Sequence, residues 1–418
     1  MPSIEPFKGF RYNPKKVGSL ARVVTPPYDV ISPEAQRAYY RAHPQNFIRL
    51  VYGIQRPDDR PGKDRYSRAQ AALREWMASG ILQRDAEPAL YPYEQAYRIG
   101  GKSHRRLGLI ALVRLDSRVY PHERIFGGPK LDRLRLMEAV NASLDPIFGL
   151  VADSSRRYLR ELEKVCRARK PVSSFAFQGV RHRLWRVTDP SSIRKMASLL
   201  RSKELVIADG HHRFEAARAY REERRKRDPR WNGNAPYNFV MFYLSATGLD
   251  DPGLLPTHRL VKVTPRRRLQ KMLDGAKQRG IARSVPSRQE LVERLDALRA
   301  RRRLGVGFYT GNGAGYLLQP RAAEGDRLDV EWLQRDLLEK KLGPDRVAVS
   351  YTQDLGAAYE TVRRRGADAV FVMQTPRLKD VFRRALAGRR MPRKTTYFYP
   401  KIVSGLVGYP FGEWGAGS

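Results

Sequence analysis

The run Leu205-Val206-Ile207-Ala208-Asp209-Gly210-His211-His212-Arg213 constrains this chain more than any other stretch. Its four leading apolar residues predict a short buried strand, Asp209-Gly210 predicts a turn, and Phe214, Ala217 and Tyr220 recur at helical spacing after it. A strand that turns directly into a helix belongs to folds that mix the two. The remaining pattern agrees. Helices are expected at Ala35–Arg41 (with Ser32 capping and Pro33 in the first turn), Asp64–Ser79, Leu131–Ala142, Tyr158–Ala168 and Ser191–Leu200, then two across Arg266–Arg303, and at Asp329–Lys341, Leu355–Gly366 and Leu378–Ala387. Strands are expected near Ala21–Thr25, at Ala89–Tyr97 and Leu107–Leu115 as a hairpin around Gly100-Gly101, and at Arg183–Val187, Tyr237–Ser245 and Leu260–Val263. Others are expected at Gly305–Thr310 with Gly315–Leu318, at Val347–Tyr351 and Ala369–Met373, and across Thr395–Val407. Interleaved helices and strands place the chain in the α+β, mixed α/β class.

Composition excludes several alternatives. With 418 residues, 41% of them hydrophobic, and 21 Tyr, 15 Phe and 5 Trp, the chain can fill a core, unlike a disordered one. The single cysteine, Cys166, excludes an intramolecular disulfide framework and multi-cysteine metal sites, so a cytoplasmic location is expected. The apolar runs Leu107–Val113 and Phe239–Ala246 fall short of the roughly 20 residues that span a bilayer. No secretory pattern opens the sequence, and no membrane partner is expected.

Charge is the outlying property. Lys and Arg number 80 against 43 Asp and Glu, a formal +37, which draws anionic partners by long-range attraction. The densest basic block, Val261–Leu304, has few aromatics for base stacking, which argues against a single-strand platform. Nucleic acid is therefore the alternative partner, not the leading one, and solvated helix faces account for much of the excess.

The Asp209–Arg213 turn is the strongest chemical candidate. Backbone N–H groups and the positive end of the helix dipole make an anion site at such a turn. Gly210 allows close approach, and His211, His212 and Arg213 add directed donors. Asp209 is a candidate to bind metal, orient a histidine or act as a base. The plain alternative is an aspartate cap with polar loop histidines. A second concentration, Pro121-His122-Glu123 with Lys130, Asp132 and Arg133, offers Glu123 as a base and Lys130 or Arg133 as a phosphate clamp, or else a solvated loop. In Thr25-Pro26-Pro27-Tyr28-Asp29 two prolines aim Asp29 as a catalytic carboxylate must be aimed, though a turn-capping Asp looks the same. Lys394 and Lys401 could reach a phosphate or only keep an edge strand soluble, and His258 is undecided. Zinc spacing, a G-x-S-x-G elbow, a Walker A sequence and a Rossmann glycine pattern are all missing.

Six stretches, PFKGFRYNP, VVTPPYDVIS, HERIFGGPKLDRLRLMEA with DPIFGL after it, VIADGHHRFEAA, LLPTHRLV and MPRKTTYFYPKIVSGLV, resemble domain-of-unknown-function family 1015 over nearly the whole chain. Locally, DGHHR with Ala216 and Ala217 is similar to the phosphate-binding turn of the ParB and sulfiredoxin superfamily, which includes a free-serine kinase. That likeness implies a ParB/sulfiredoxin-like nucleotide-binding core with α/β elaborations. It also implies nucleotide contact at Gly210, His211, His212 and Arg213, and a metal or phosphoryl-transfer role for Asp209. The expected organisation is an N-terminal α/β region over 1–150, the ParB-like core over 151–260 and a basic α/β region over 261–418.

The leading expectation is an enzyme that uses ATP or ADP, with CTP as a further option, and Mg²⁺ to phosphorylate a small hydroxylated metabolite such as serine. Asp209, Asp29 and Glu123 are its candidate catalytic residues. Its phosphate ligands are drawn from Gly210, His211, His212, Arg213, Lys130, Arg133 and Lys394, with Asp209 at the metal. A ParB-like nucleotide sensor or DNA-binding protein, and a phosphate-ester hydrolase, are the alternatives. Oligomeric state is not legible.

Overall fold

Both long apolar runs become central strands. In chain order the strands of the main sheet are β1 (Ile4–Glu5), β2 (Tyr91–Ile99), β3 (Lys102–Arg114), β4 (Val119–Tyr120), β5 (Ile147–Ala152), β6 (Ser173–Phe177), β7 (Val180–Leu184), β8 (Leu205–Asp209) and β9 (Phe239–Thr247). Their spatial order is β4-β8-β5-β9-β3-β2-β7-β6, with β1 beside β3. The β4–β8 and β5–β9 pairs are parallel and the others antiparallel. Consecutive residues Leu109, Ile110 and Ala111 are all fully buried, so both faces of β3 are covered. That is why its sequence reads as a continuous apolar run and does not alternate. Large side chains such as Phe148 and Phe242, on opposite faces of the sheet, are sealed as well, each contributing roughly 1.5–3 kcal/mol.

The computed structural model describes residues 2–123, 127–229, 231–247, 253–311, 315–321 and 327–412. The class is mixed α/β, as expected. The chain divides into two compact units, Met1–Pro252 with Pro400–Ser418, and Gly253–Tyr399. In the first, helix Gly127–Val140 packs between helices Arg65–Ala78 and His211–Arg227. Asp64 caps the Arg65 helix with a reciprocal Ser67 bond.

The second unit is built on an antiparallel sheet of β10 (His258–Val263), β11 (Ala282–Val285), β12 (Val306–Tyr309), β13 (Gly315–Leu318), β14 (Val347–Thr352) and β15 (Ala369–Val372), in the order β11-β13-β12-β15-β10-β14. Neighbouring residues on one strand enter opposite cores. Val261, Phe308, Leu318 and Phe371 pack with helix Arg267–Gln278, while Leu260, Tyr309, Leu317 and Val370 pack with Leu291 and Tyr359. The period of two thus sorts one strand between two apolar layers. Among the described residues no helix is long and apolar enough to cross a membrane.

Several local expectations fail. Ala21–Thr25 is not a strand: Leu20–Val23 forms one helical turn, held by the Asn46 amide donating to the Arg22 carbonyl at 2.8 Å and by the Phe47 N–H donating to the Val23 carbonyl at 2.7 Å. The Gly127-Gly128-Pro129 loop is the first turn of a helix that ends at Val140, so Lys130 and Arg133 stand one turn apart. The expected β return at Thr395–Val407 shrinks to Tyr397–Phe398, because Lys394 and Gly405 take positive φ and Pro400 interrupts the ladder. No strand expectation covers β1, β4, β5, β6 or β11.

Candidate functional site

The strand–turn–helix unit forms as the sequence indicates, with one refinement that aims its acid. On β8 Ile207 pairs with Gly149 and Asp209 with Phe148, which leaves Ala208 as a bulge immediately before the turn. Such bulges bend a strand and redirect the next side chain. Gly210 then takes φ 92°, a left-handed value that L side chains rarely adopt, and a Cβ there would lie 2.9 Å from the Arg213 guanidinium. Gly210 is also the N-cap of helix His211–Arg227 and brings no capping side chain, whereas Asp64, Asp189 and Ser287 cap their helices.

Two cations converge on the acid. Lys401 Nζ donates to Asp209 Oδ1 at 2.8 Å, and Arg213 Nη2 donates to Oδ2 at 3.0 Å. Arg213 Nη1 also donates to the Pro146 carbonyl at 2.6 Å, while its buried Nε has no hydrogen-bond partner. Burial opposes the charge of Arg213, but Asp209, Asp145 and Asp29 outweigh it and hold its pKa above the ordinary value. Asp145 is buried, and desolvation pushes its carboxyl up despite Arg213, the neighbouring Ser404 and Arg133; Asp29 adds to the rise.

Asp29 sits on a 3-10 turn, Tyr28–Val30, exposed, and within electrostatic reach of Arg213, Asp145 and Tyr28. Tyr28 carries its phenol under the Arg133 guanidinium, 3.9 Å from ring centre to Cζ, and burial pushes it up to about 12. Arg133 is itself buried, donating from Nη1 to the Val51 carbonyl at 2.8 Å and from Nε to Asp132 at 2.8 Å. It orients Tyr28 and is not exposed as a clamp. Lys130 is half-buried one turn earlier.

His211 turns toward the Pro121–Glu123 loop. His211 is buried, and its Nε2 accepts the His122 N–H at 3.2 Å; the two rings meet edge to face at 4.7 Å. His122 Nδ1 lies 2.6 Å from the Ile207 carbonyl, which can only accept, so that nitrogen carries a proton. Its Nε2 stands 3.9 Å from Glu123 Oε1. The imidazole of His211 therefore ties the turn to the Pro121–Glu123 loop, and His212 is half-buried beside it. Lys394 belongs to the second unit, where its carbonyl accepts from Arg259 at 3.1 Å. His258 is there too, buried, its Nδ1 accepting the Met373 N–H at 3.1 Å.

Thus Asp29, Arg133, Asp209 and Arg213 come together, Glu123 joins the turn through His122 and His211, and Lys394 stands in the other unit. Asp145, Tyr28 and Ser404 join them, and no local sequence signal marks these three. Asp209 does not fit a directly coordinated Mg²⁺ as it stands. Both of its oxygens are taken by cations, and among the described residues no three His, Cys, Asp or Glu side chains gather as a metal site.

Residues 4–336 match the model of a family described as protein of unknown function, DUF1015. The chain belongs to this family. No curated protein matches it. Among solved structures, a conserved hypothetical protein from Pyrococcus furiosus is 14% identical, with a TM-score of 0.36, over 71% of this DUF1015 chain and 95% of its own. A free serine kinase in complex with AMP gives 14% and 0.36 over 71% and 92%. SbnI from Staphylococcus aureus, truncated at its C-terminus, gives 11% and 0.35 over 71% and 85%.

Proposed function

We propose that the Asp209–Arg213 turn binds the phosphates of a nucleotide and that the chain transfers a phosphoryl group to a small hydroxylated metabolite, serine being the first candidate. The carrying observation is that two cations, Arg213 and Lys401, are fixed on the single carboxylate of Asp209 at a helix start without a side-chain cap. That trio carries a surplus of one positive charge, to which the helix dipole adds and which Asp29 and Asp145, in reach of Arg213, oppose. The resemblance of DGHHR to the phosphate-binding turn of the ParB and sulfiredoxin superfamily supports a nucleotide as the ligand.

In this mechanism Arg213, Lys401 and the backbone of the turn hold the phosphates, and Asp209 keeps both cations in place. Asp29 accepts the hydroxyl proton, with Glu123 as the alternative base. The hydroxyl oxygen bonds to the terminal phosphorus as the bridging P–O bond breaks, and the shortened nucleotide leaves with that oxygen. Rigid donors aimed at the phosphates supply the catalysis, through positioning and charge.

Calorimetric titration of ATP and ADP tests the assignment. Arg213→Ala is expected to weaken binding about 10- to 100-fold, the usual cost of losing a hydrogen bond to a charged group. Asp209→Asn loosens the hold on both cations, and is expected to weaken binding and to lower turnover with it. Unchanged binding and turnover in both variants contradict the assignment.

A further inference from the structure

The second unit contains a cavity of about 480 Å³, within the range of small-molecule sites. Seven arginines and Lys379 line it against two aspartates, Asp329 and Asp380. The acids do not balance this excess. Asp380 is held by Arg377 at 2.8 Å and Arg383 at 3.1 Å, and Arg327 pairs with Asp336. Among the described residues Arg299, Arg302, Arg303 and Lys379 meet no carboxylate, and Arg299 is fixed to the wall by donating Nε to the Thr375 carbonyl at 2.8 Å.

Arginines at a helix end also complement the helix dipole without any ligand, and Arg299 near the end of helix Arg288–Ala300 fits that account. Arg302 and Arg303 lie beyond the helix, and Lys379 comes from a different helix, Leu378–Leu386, yet all line one concave space. Its wall also includes Leu304, Leu328, Met373 and Pro376, so the charges border an apolar surface. Asp329 sits in that wall, where burial pushes its carboxyl up to about 6.

We propose that this cavity binds a phosphorylated small metabolite with two or more anionic groups, which meet Arg299, Arg302, Arg303 and Lys379 while its apolar body lies on the Leu304–Met373 wall. Asp329 receives an N–H or hydroxyl of the same ligand. The cavity lies wholly in Gly253–Tyr399 and does not depend on the function proposed for the Asp209 turn.

The test is calorimetric titration of the full chain with pyrophosphate, ADP and fructose bisphosphate. Arg302 and Arg303 are exposed, so R302E/R303E is expected to fold with an unchanged melting temperature. R283E/R335E, at exposed positions outside the lining, makes the same change in net charge. The expected result is saturable binding of at least one probe, weakened about tenfold or more by R302E/R303E and less than about twofold by either R283E/R335E or R213A. Equal weakening by both charge reversals reports net charge alone and overturns the proposal. So does loss of all saturable binding in R213A only, which assigns it to the first unit, and so does the absence of saturable binding for all three probes.

Discussion

At the scale of single residues, the turn was legible because its chemistry is local: Asp209, Gly210 and Arg213 are consecutive or one helical turn apart. Gly210→Ala places a side chain at φ 92° against the Arg213 guanidinium, and is expected to cost about 1–2 kcal/mol in urea unfolding and to weaken nucleotide binding with it. In sequence Lys401 reads only as a lysine that could reach a phosphate or keep an edge strand soluble, because its partner lies 192 positions away and no spacing rule connects them. His258 was undecided in sequence, and its surroundings resolve it. Burial, and then Arg259 beside it, lowers its pKa from 6.5 to about 4. The unfolded chain therefore binds a proton that the native one refuses. Stability is full above about pH 6.5 and falls as the pH drops toward 4, by about 3 kcal/mol from this group. Urea unfolding between pH 7 and 4 should show a shallower decline for His258→Gln than for the parent; parallel declines contradict a neutral buried imidazole.

At the scale of elements, long apolar periods were readable and short strands were not. The β2–β3 hairpin and the His211 helix follow their patterns closely. Strand β5 did not, since Asp145-Pro146 before it and Gly149 within it look like loop signals. Gly149 is required there by packing: a Cβ would lie 2.6 Å from Leu205 and 2.9 Å from Phe242. Gly108 on β3 is tighter still, 2.6 Å from the Tyr243 ring and 2.7 Å from the Leu244 carbonyl. Gly108→Ala is expected to destabilise the first unit by about 1–3 kcal/mol, the usual cost of overpacking a filled interior. Thermal unfolding checks this, and an unchanged midpoint would mean that β3 and β9 can separate without cost.

At the scale of the whole molecule, the +37 charge was plain in the sequence, but its distribution was not. Part of the block Val261–Leu304 lines the second unit's cavity through Arg299, Arg302 and Arg303, which a linear count cannot show. The remaining excess predicts DNA affinity that collapses with salt between 50 and 200 mM and is the same for unrelated duplexes. Fluorescence anisotropy on two sequences measures it. A preference for one sequence that survives at the higher salt would favour the ParB-like alternative.

The most direct test of the Asp209–Arg213 site is phosphorus NMR of the purified chain with Mg²⁺, ATP or ADP, and a pool of amino acids and small alcohols. A new phosphomonoester resonance that is lost in Asp209→Asn is the predicted result. Nucleotide that stays intact in the presence of every acceptor, or a product peak of equal size in the variant, would contradict phosphoryl transfer at this site.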